Sequence, residues 1–284
     1  MAGVDLTRIA GNIQALNSLN SLNKINNQLA THQLRLSTGK KINEAADDPA
    51  GMSIATTFDI RRQSLSTVLK SIGDGKNLLA TAEGGLTKIQ DILVKMKNKS
   101  LEAQGDTIGA DEKAAIQKQV VSFRNEINDI VNATEWNGTK LLSGSAGSGT
   151  PGSLAFLTGA DGSTTSFDLA QGFAISGSGT AGIALSSIDV SSSASAAMTA
   201  INDAIDLVKT GIADVGSFTA RLTFKEEALT IAHANTEAAY NRIMNADMAN
   251  EQVQASKLMI LQQTATAMLS QANMSPQFVL SLFQ

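Results

Sequence analysis

LSTVLKSIGDGKNLLATAEGGLTKIQDILVKM, residues 65–96, sets Leu65, Val68, Ile72, Gly75, Leu79, Ala82, Leu86, Ile89, Leu93 and Met96 at alternating steps of three and four. A spacing that averages 3.5 residues keeps one stripe of an α-helix turned towards a partner helix, as in a coiled-coil seam. No proline interrupts the stretch, so the helix can run its whole length. The small residues Gly75 and Ala82 in the stripe predict close approach of a partner backbone.

The same seam extends outward in both directions. Upstream, Asp47-Asp48 before Pro49 reads as an N-cap followed by a first helical position, which starts this helix near 49. Gly105-Asp106 closes it, at about 104. Before it, residues 4–36 form another helix on Ile9, Ile13, Leu16, Leu19, Leu22, Ile25 and Leu29. Ser37-Thr38-Gly39 stops that helix, and Lys40-Lys41 suits its negative end. Downstream, Ile116, Val120, Phe123, Ile127 and Ile130 mark a third helix over about 110–133. Glu135-Trp136-Asn137-Gly138 turns the chain, with Trp136 fixing the turn.

Beyond this turn the composition changes. No Lys or Arg occurs from Leu141 to Val208, and Gly, Ser, Thr and Ala dominate residues 143–195. Within that region Leu154–Leu157 and Thr164–Leu169 flank Gly159-Ala-Asp-Gly162 as a β-hairpin, and a second short strand pair is read near 172–190. Helical spacing resumes near 195 on Met198, Ile201, Ile205, Val208, Ile212, Val215 and Leu222 and runs on to about Asn273, with Pro276 as a boundary. Leu258-Met-Ile-Leu261 and Met268-Leu269 put apolar groups on more than one face, which one partner helix cannot cover. The segment Phe278–Phe283 is also apolar. Contacts from neighbouring copies are therefore expected there.

Composition narrows the chemistry. Among 284 residues aromatics make up 4%, so Leu, Ile, Val, Ala and Met supply most apolar mass, a mixture suited to helix–helix seams. A net charge of −4 argues against a nucleic-acid face. The absence of Cys excludes disulfides and thiolate metal sites. No run of 18 apolar residues predicts a membrane span, and Met1–Ile13, with Asp5 and Arg8, does not read as a secretory signal.

Gly147/Gly149/Gly152 and Gly177/Gly179/Gly182 satisfy G-x-G-x-x-G, but no helix pattern follows either, so both read as loop. Asp47-Asp48 reads as a cap, not an acid–base pair. His32 and His233 lie in helical pattern without partners for a triad or a zinc site, and no H-E-x-x-H occurs. Asn98 and Asn137 fit the N-glycosylation pattern, and the Ser/Thr-rich stretch 143–195 is a candidate for O-linked sugars. No catalytic residue, metal site or cofactor is predicted.

Leu36-Ser-Thr-Gly-Lys-Lys-Ile-Asn-Glu-Ala-Ala-Asp-Asp-Pro-Ala-Gly-Met-Ser-Ile-Ala55 closely resembles the N-terminal signature of bacterial flagellins. Ala82-Glu-Gly-Gly-Leu86, Glu135-Trp-Asn-Gly-Thr-Lys-Leu-Leu142 and Asn241-Arg-Ile-Met-Asn-Ala-Asp-Met-Ala249 fit the same family. So do Ile260-Leu-Gln-Gln263, Gln271-Ala-Asn273 and Val279-Leu-Ser-Leu282, and the matches together cover about 1–142 and 195–284. The resemblance implies a mainly α fold of long antiparallel helices in coiled-coil bundles, the two termini paired, with a small β-hairpin region. It maps an inner layer to 1–44 and 241–284, and an outer helical layer to 45–142 and 195–240. The remaining 143–194 is a short surface region with no separate outer domain. Inner-layer assembly falls to Ile9, Ile13, Leu16, Leu19, Leu22, Ile25, Leu29, Leu258, Leu261, Leu269, Leu280 and Leu282. The outer seams fall to Leu65, Val68, Ile72, Leu79, Leu86, Ile89, Leu93, Ile201, Ile205, Val208 and Ile212.

The family implies a filament subunit for motility, exported through the flagellar type III apparatus to the cell exterior without a cleaved signal. Its implied partners are copies of itself, an export chaperone, a filament cap and hook-associated junction proteins. The innate-receptor stretch of the family matches Leu93, Lys95 and Lys99, with Gln119 on the next helix. Lys95 stands where Arg is usual, Lys99 where Leu is usual and Gln119 where an acid is usual, and Lys lacks the bidentate fork of Arg, so receptor activation is expected to be weak or absent. Ordering a terminal segment costs about 1–2 kcal/mol per residue. The termini are therefore expected to fold on assembly. A hook–filament junction protein, a surface adhesin or receptor ligand, and an enzyme are the alternatives.

Overall fold

Gly39 ends the first helix. It sits at φ 69°, where glycine alone is unstrained, and its N–H returns to Arg35 O at 2.8 Å. In the computed structural model, which describes residues 12–105, 107–144, 153–168, 173, 183, 185 and 188–281, with side chains as far as Met274, this closes α1 (Ile13–Thr38). Asp48 opens α2 (Pro49–Ala103) as expected, its Oδ1 accepting from Gly51 N at 2.9 Å. Asp47 instead braces the preceding turn, accepting from Asn43 N (3.0 Å) and Glu44 N (3.3 Å). These backbone bonds hold its carboxyl below the ordinary value of 3.8. α3 (Ala110–Ala133) starts at Gly109, whose N–H donates to Glu112 Oε2 at 2.6 Å, half of a capping box.

The chain divides into two compact units, 61–234 and the two terminal portions 1–60 with 235–284. In the first unit every residue of the quoted seam, from Leu65 to Met96, is buried. Opposite it α3 buries Ile116, Val120, Ile127 and Val131. Asn137 (φ 49°) and Gly138 (φ 77°) form the tight turn between β1 (Glu135–Trp136) and β2 (Thr139–Lys140). Two left-handed residues match the twist of a two-residue hairpin, so the turn expected at 135–138 is a full hairpin, with Trp136 partly exposed.

The expected hairpin is formed by β3 (Ser153–Leu157) and β4 (Thr164–Asp168), antiparallel with Leu154 opposite Phe167 and Phe156 opposite Thr165. It packs on α4 (Ala194–Met244), where the Phe218 ring lies 5.4 Å from that of Phe156 and 4.7 Å from that of Phe167. Lys225 Nζ donates to Thr158 Oγ1 (3.0 Å) and Thr165 Oγ1 (2.8 Å) below that cluster. Gly75 does admit a close neighbour, but it is a ring and not a backbone: a Cβ there would lie 2.6 Å from Phe156 Cδ1. The buried line of α4 runs through Ala197, Ile201, Ala204, Val208, Gly211, Val215, Phe218 and Leu222, an unbroken alternation of four and three. Ile205 is buried beside it, while Met198 and Ile212 are half-buried. Gly211 takes an inward step because a ring arrives there from elsewhere: a Cβ at Gly211 would lie 2.4 Å from Phe173 Cζ.

In the terminal unit α5 (Met248–Ser281) follows α4 after a break that the continuous helix read over 195–273 lacked. Lys41 N donates to Met244 O at 2.6 Å, Ala246 N donates to Gly39 O at 3.0 Å, and Lys40 and Asn245 form an antiparallel bridge. Met244 O and Ala246 N thus leave the helix to pair with the link after α1. Asp247 then caps α5, accepting from Ala249 N and Asn250 N at 3.0 and 3.1 Å. Nor does Pro276 bound a helix, because α5 passes through it to Ser281. The first eleven residues, both glycine-rich motifs and most of the strand pair read near 172–190 lie outside the described residues.

Candidate functional site

The helix pair α1–α5 carries most of the residues picked out for assembly. As the α1 partner falls from His32 to Asn26 to Asn12, the α5 partner rises from Glu251 to Gln262 to Ala272, so the two run antiparallel. Leu29 packs against Ala255 and Leu258, flanked by Ile25 and Leu36. Asn26 Oδ1 accepts from Gln262 Nε2 at 2.8 Å. His32 Nδ1 contacts Glu251 Oε2, and Arg35 Nη1 lies 3.7 Å from Glu251 Oε1. Glu251 is buried there and needs both partners, since a carboxylate out of water is costly without them. A second cluster joins Ile42, Ala55 and Met244 with Met52, Tyr240 and Ile243.

Along α1 the burial fades towards the N-terminal end. Leu29 is buried and Leu22 and Ile25 are half-buried, but Leu19, Leu16 and Ile13 are 42%, 57% and 62% exposed. On α5, Glu251, Ala255, Leu258 and Ala272 share one side of the wheel at roughly 100° per residue. Val253, Met259, Ile260, Leu261, Met268 and Met274 spread around the rest and are exposed. Val253, Ile260 and Leu261 with Ser256 and Lys257 line a shallow apolar groove. Leu269 is half-buried, the side chain of Leu280 and the whole of Ile9 and Leu282 lying outside the described residues. The arrangement is a two-helix pair with one covered seam and several uncovered apolar faces. Its chemistry is association.

The receptor-stretch residues divide. Leu93 is fully buried in the seam, whereas Lys95 and Gln119 are exposed on α2 and α3. Lys99 is half-buried and paired with Glu102 at 2.6 Å. No group of three or more His, Asp or Glu able to hold a metal occurs among the described residues. No helix among them is long and apolar enough to cross a membrane.

Sequence reasoning missed the polar side chains that tie the pair together: Asn12, Asn26, His32, Glu251 and Gln262. Asn12 carried a usable signal, being a cap-type residue directly before the first described apolar position of α1. The others sit in helix interiors, where no local pattern separates a polar bridge from a solvated face.

Comparison with known proteins agrees with this geometry. A profile for the bacterial flagellin N-terminal helical region matches residues 9–147, and one for the C-terminal helical region matches 198–283. The flagellin of Bacillus subtilis (strain 168) is 33% identical, the match spanning 98% of this chain and 100% of that one. A flagellar filament 30.7 kDa core protein of Treponema maltophilum is 29% identical over 90% of this chain and 93% of its own. A solved structure of a flagellar hook-associated protein from Vibrio parahaemolyticus shares the fold, with a TM-score of 0.59 at 16% identity over 70% of this chain and all of that one.

Proposed function

The chain belongs to the bacterial flagellin family, and on that footing we propose how its surfaces serve the filament. It is a structural subunit that polymerises into the flagellar filament, an exported component and not an enzyme. Residues 1–44 and 241–284 form the inner layer, and 45–142 with 195–240 the outer helical layer. The stretch 143–194 faces outward. Ile13, Leu16 and Leu19 of α1 and Leu261 and Leu269 of α5 meet neighbouring copies, and motor torque passes through those contacts. The outer seams, from Leu65 to Leu93 on α2 and from Ile201 to Ile212 on α4, hold each subunit rigid.

The observation that carries this reading is the uncovered apolar surface of the pair, with Ile13, Val253 and Ile260 each more than 60% exposed. Each such side chain gains about 1.5–3 kcal/mol when fully buried. Neighbours supply what a single chain lacks, so the terminal helices order fully on assembly. In the monomer the amides of 13–38 exchange freely, and full protection in a verified monomer contradicts this step.

Passage to the cell exterior proceeds through the flagellar export apparatus, without a cleaved signal and with a chaperone over the terminal helices. The cap and the hook-associated junction proteins contact the same layer. With Lys95, Lys99 and Gln119 in the receptor stretch, activation of the innate receptor is weak or absent. A reporter-cell response at ordinary agonist concentrations contradicts that. The test of the assembly surface is Ile260→Ser in the full chain. Seeded elongation is expected to slow at least tenfold while the unfolding of the 61–234 unit is unchanged. Undiminished elongation contradicts the surface.

A further inference from the structure

Pro276 lies inside α5, and its ring nitrogen has no hydrogen to donate. In an unbroken helix residue 276 would donate to the carbonyl of Ala272. That carbonyl therefore loses its helical donor, and Ala272 is only 3% exposed, so water does not readily replace it. The structure supplies a donor from the other terminal helix: Asn12 Nδ2 lies 2.8 Å from Ala272 O. The orientation of the amide is fixed by its other half, because Asn12 Oδ1 accepts from Ala15 N at 2.9 Å as the N-cap of α1. One side chain thus closes the start of α1 and satisfies the acceptor that a proline opens in α5.

The position of this contact gives it a use. At the far end of the pair the backbone of 39–41 is bonded to that of 244–246. The seam between the two ends rests on few side chains, Leu29 against Ala255 and Leu258 and the ties from Asn26 to Gln262 and from His32 to Glu251, all of them nearer that far end than Asn12 is. Towards Asn12 the packing thins out, with Ile13, Leu16 and Leu19 exposed, and apolar packing tolerates sliding and rotation where a directional bond to a single carbonyl does not. With α5 continuous through the proline, Ala272 O is the acceptor that identifies the register.

We propose that Asn12 is a positioning residue that locks the register of the two terminal helices, by donating to the one α5 carbonyl that Pro276 deprives of its helical partner. The lock rests on the filament reading for its effect on polymerisation. It predicts that Asn12 and Pro276 are coupled: with Pro276→Ala the N–H returns, Ala272 O is satisfied within α5, and Asn12 is left with its capping role alone.

The experiment is a double-substitution cycle in the full chain, read as the rate of elongation from sheared filament seeds. Asn12→Ser keeps a cap-type oxygen and gives up the reach to Ala272. In the Pro276 background it is expected to slow elongation about tenfold, the scale of one unsatisfied buried carbonyl. In the Pro276→Ala background the same change is expected to cost less than threefold. Equal slowing in both backgrounds makes Asn12 a cap only and overturns the proposal, as does no slowing in either. If Asn12→Ser does not elongate at all, recovery in the double variant supports the lock and failure to recover overturns it. Failure of the unsubstituted chain to elongate tells against the filament reading instead, which keeps the two claims apart.

Discussion

Gly75 illustrates how one position in a helix can be set by a partner far away. Alanine would favour the helix itself by about 1 kcal/mol. Its Cβ, however, would lie 2.6 Å from Phe156 Cδ1, inside any normal contact. Gly75→Ala is expected to destabilise the 61–234 unit by about 1–3 kcal/mol through overpacking, measured by urea unfolding of the full chain. An unchanged or raised midpoint would mean that the ring moves aside freely. Carboxylates in two turns give a second prediction. Hydrogen bonds from Ser191 and Ser192 hold Asp189 at about 2, and the Asn43 and Glu44 amides hold Asp47 below 3.8. A group depressed on folding contributes fully above its unfolded value near 3.8 and loses that contribution as pH falls through the folded value. Protection of the Ser191 and Ser192 amides should therefore persist at pH 5 and fall between about pH 4 and pH 2. Asp189→Asn should abolish that pH dependence in amide exchange, and an identical profile in both proteins contradicts it.

At the scale of elements, the β3–β4 hairpin is anchored by aromatic packing. Phe218 is 2% exposed and lies between the rings of Phe156 and Phe167. Phe218→Ala is expected to cost about 3–5 kcal/mol in urea unfolding. A loss below about 1 kcal/mol would show that the hairpin is held by Lys225 and the backbone instead. These elements were unequally legible in the sequence. The α2 seam was readable residue by residue, because nine consecutive steps of three and four leave only one face to bury. The α4 stripe was readable only in part: Ile201, Val208, Val215 and Leu222 stood out, whereas Gly211 looks inert until the Phe173 ring it receives is known. The break at 245–247 was hidden for a related reason. Its partners are Gly39 to Lys41, far off in the chain, and apolar periodicity says nothing about backbone groups. For the candidate site, the many-sided apolar run Leu258–Leu261 did announce an unfinished surface. The polar ties from Asn26 and His32 did not, because long-range partners have no local signature, and Asn12 announced its cap but not its bond to Ala272.

At the scale of the whole molecule, the two units differ in how complete they are. The unit 61–234 holds a continuous core in which Leu79, Leu86, Ile89, Leu93 and Met96 have no exposed surface. Among the described residues the terminal unit has only small clusters, around Leu29 and around Ile42, and much of the apolar surface of α1 and α5 is uncovered. A flagellin with that division pairs one finished unit with terminal helices whose uncovered apolar faces call for neighbours. The most direct measurement is electron microscopy of the purified full chain after addition of sheared filament seeds. Long filaments growing from the seed ends are the predicted result, with an inner layer in which Ile13, Leu16 and Ile260 are covered by adjacent subunits. Seeds that stay as short stubs under conditions where they are competent for growth would contradict it.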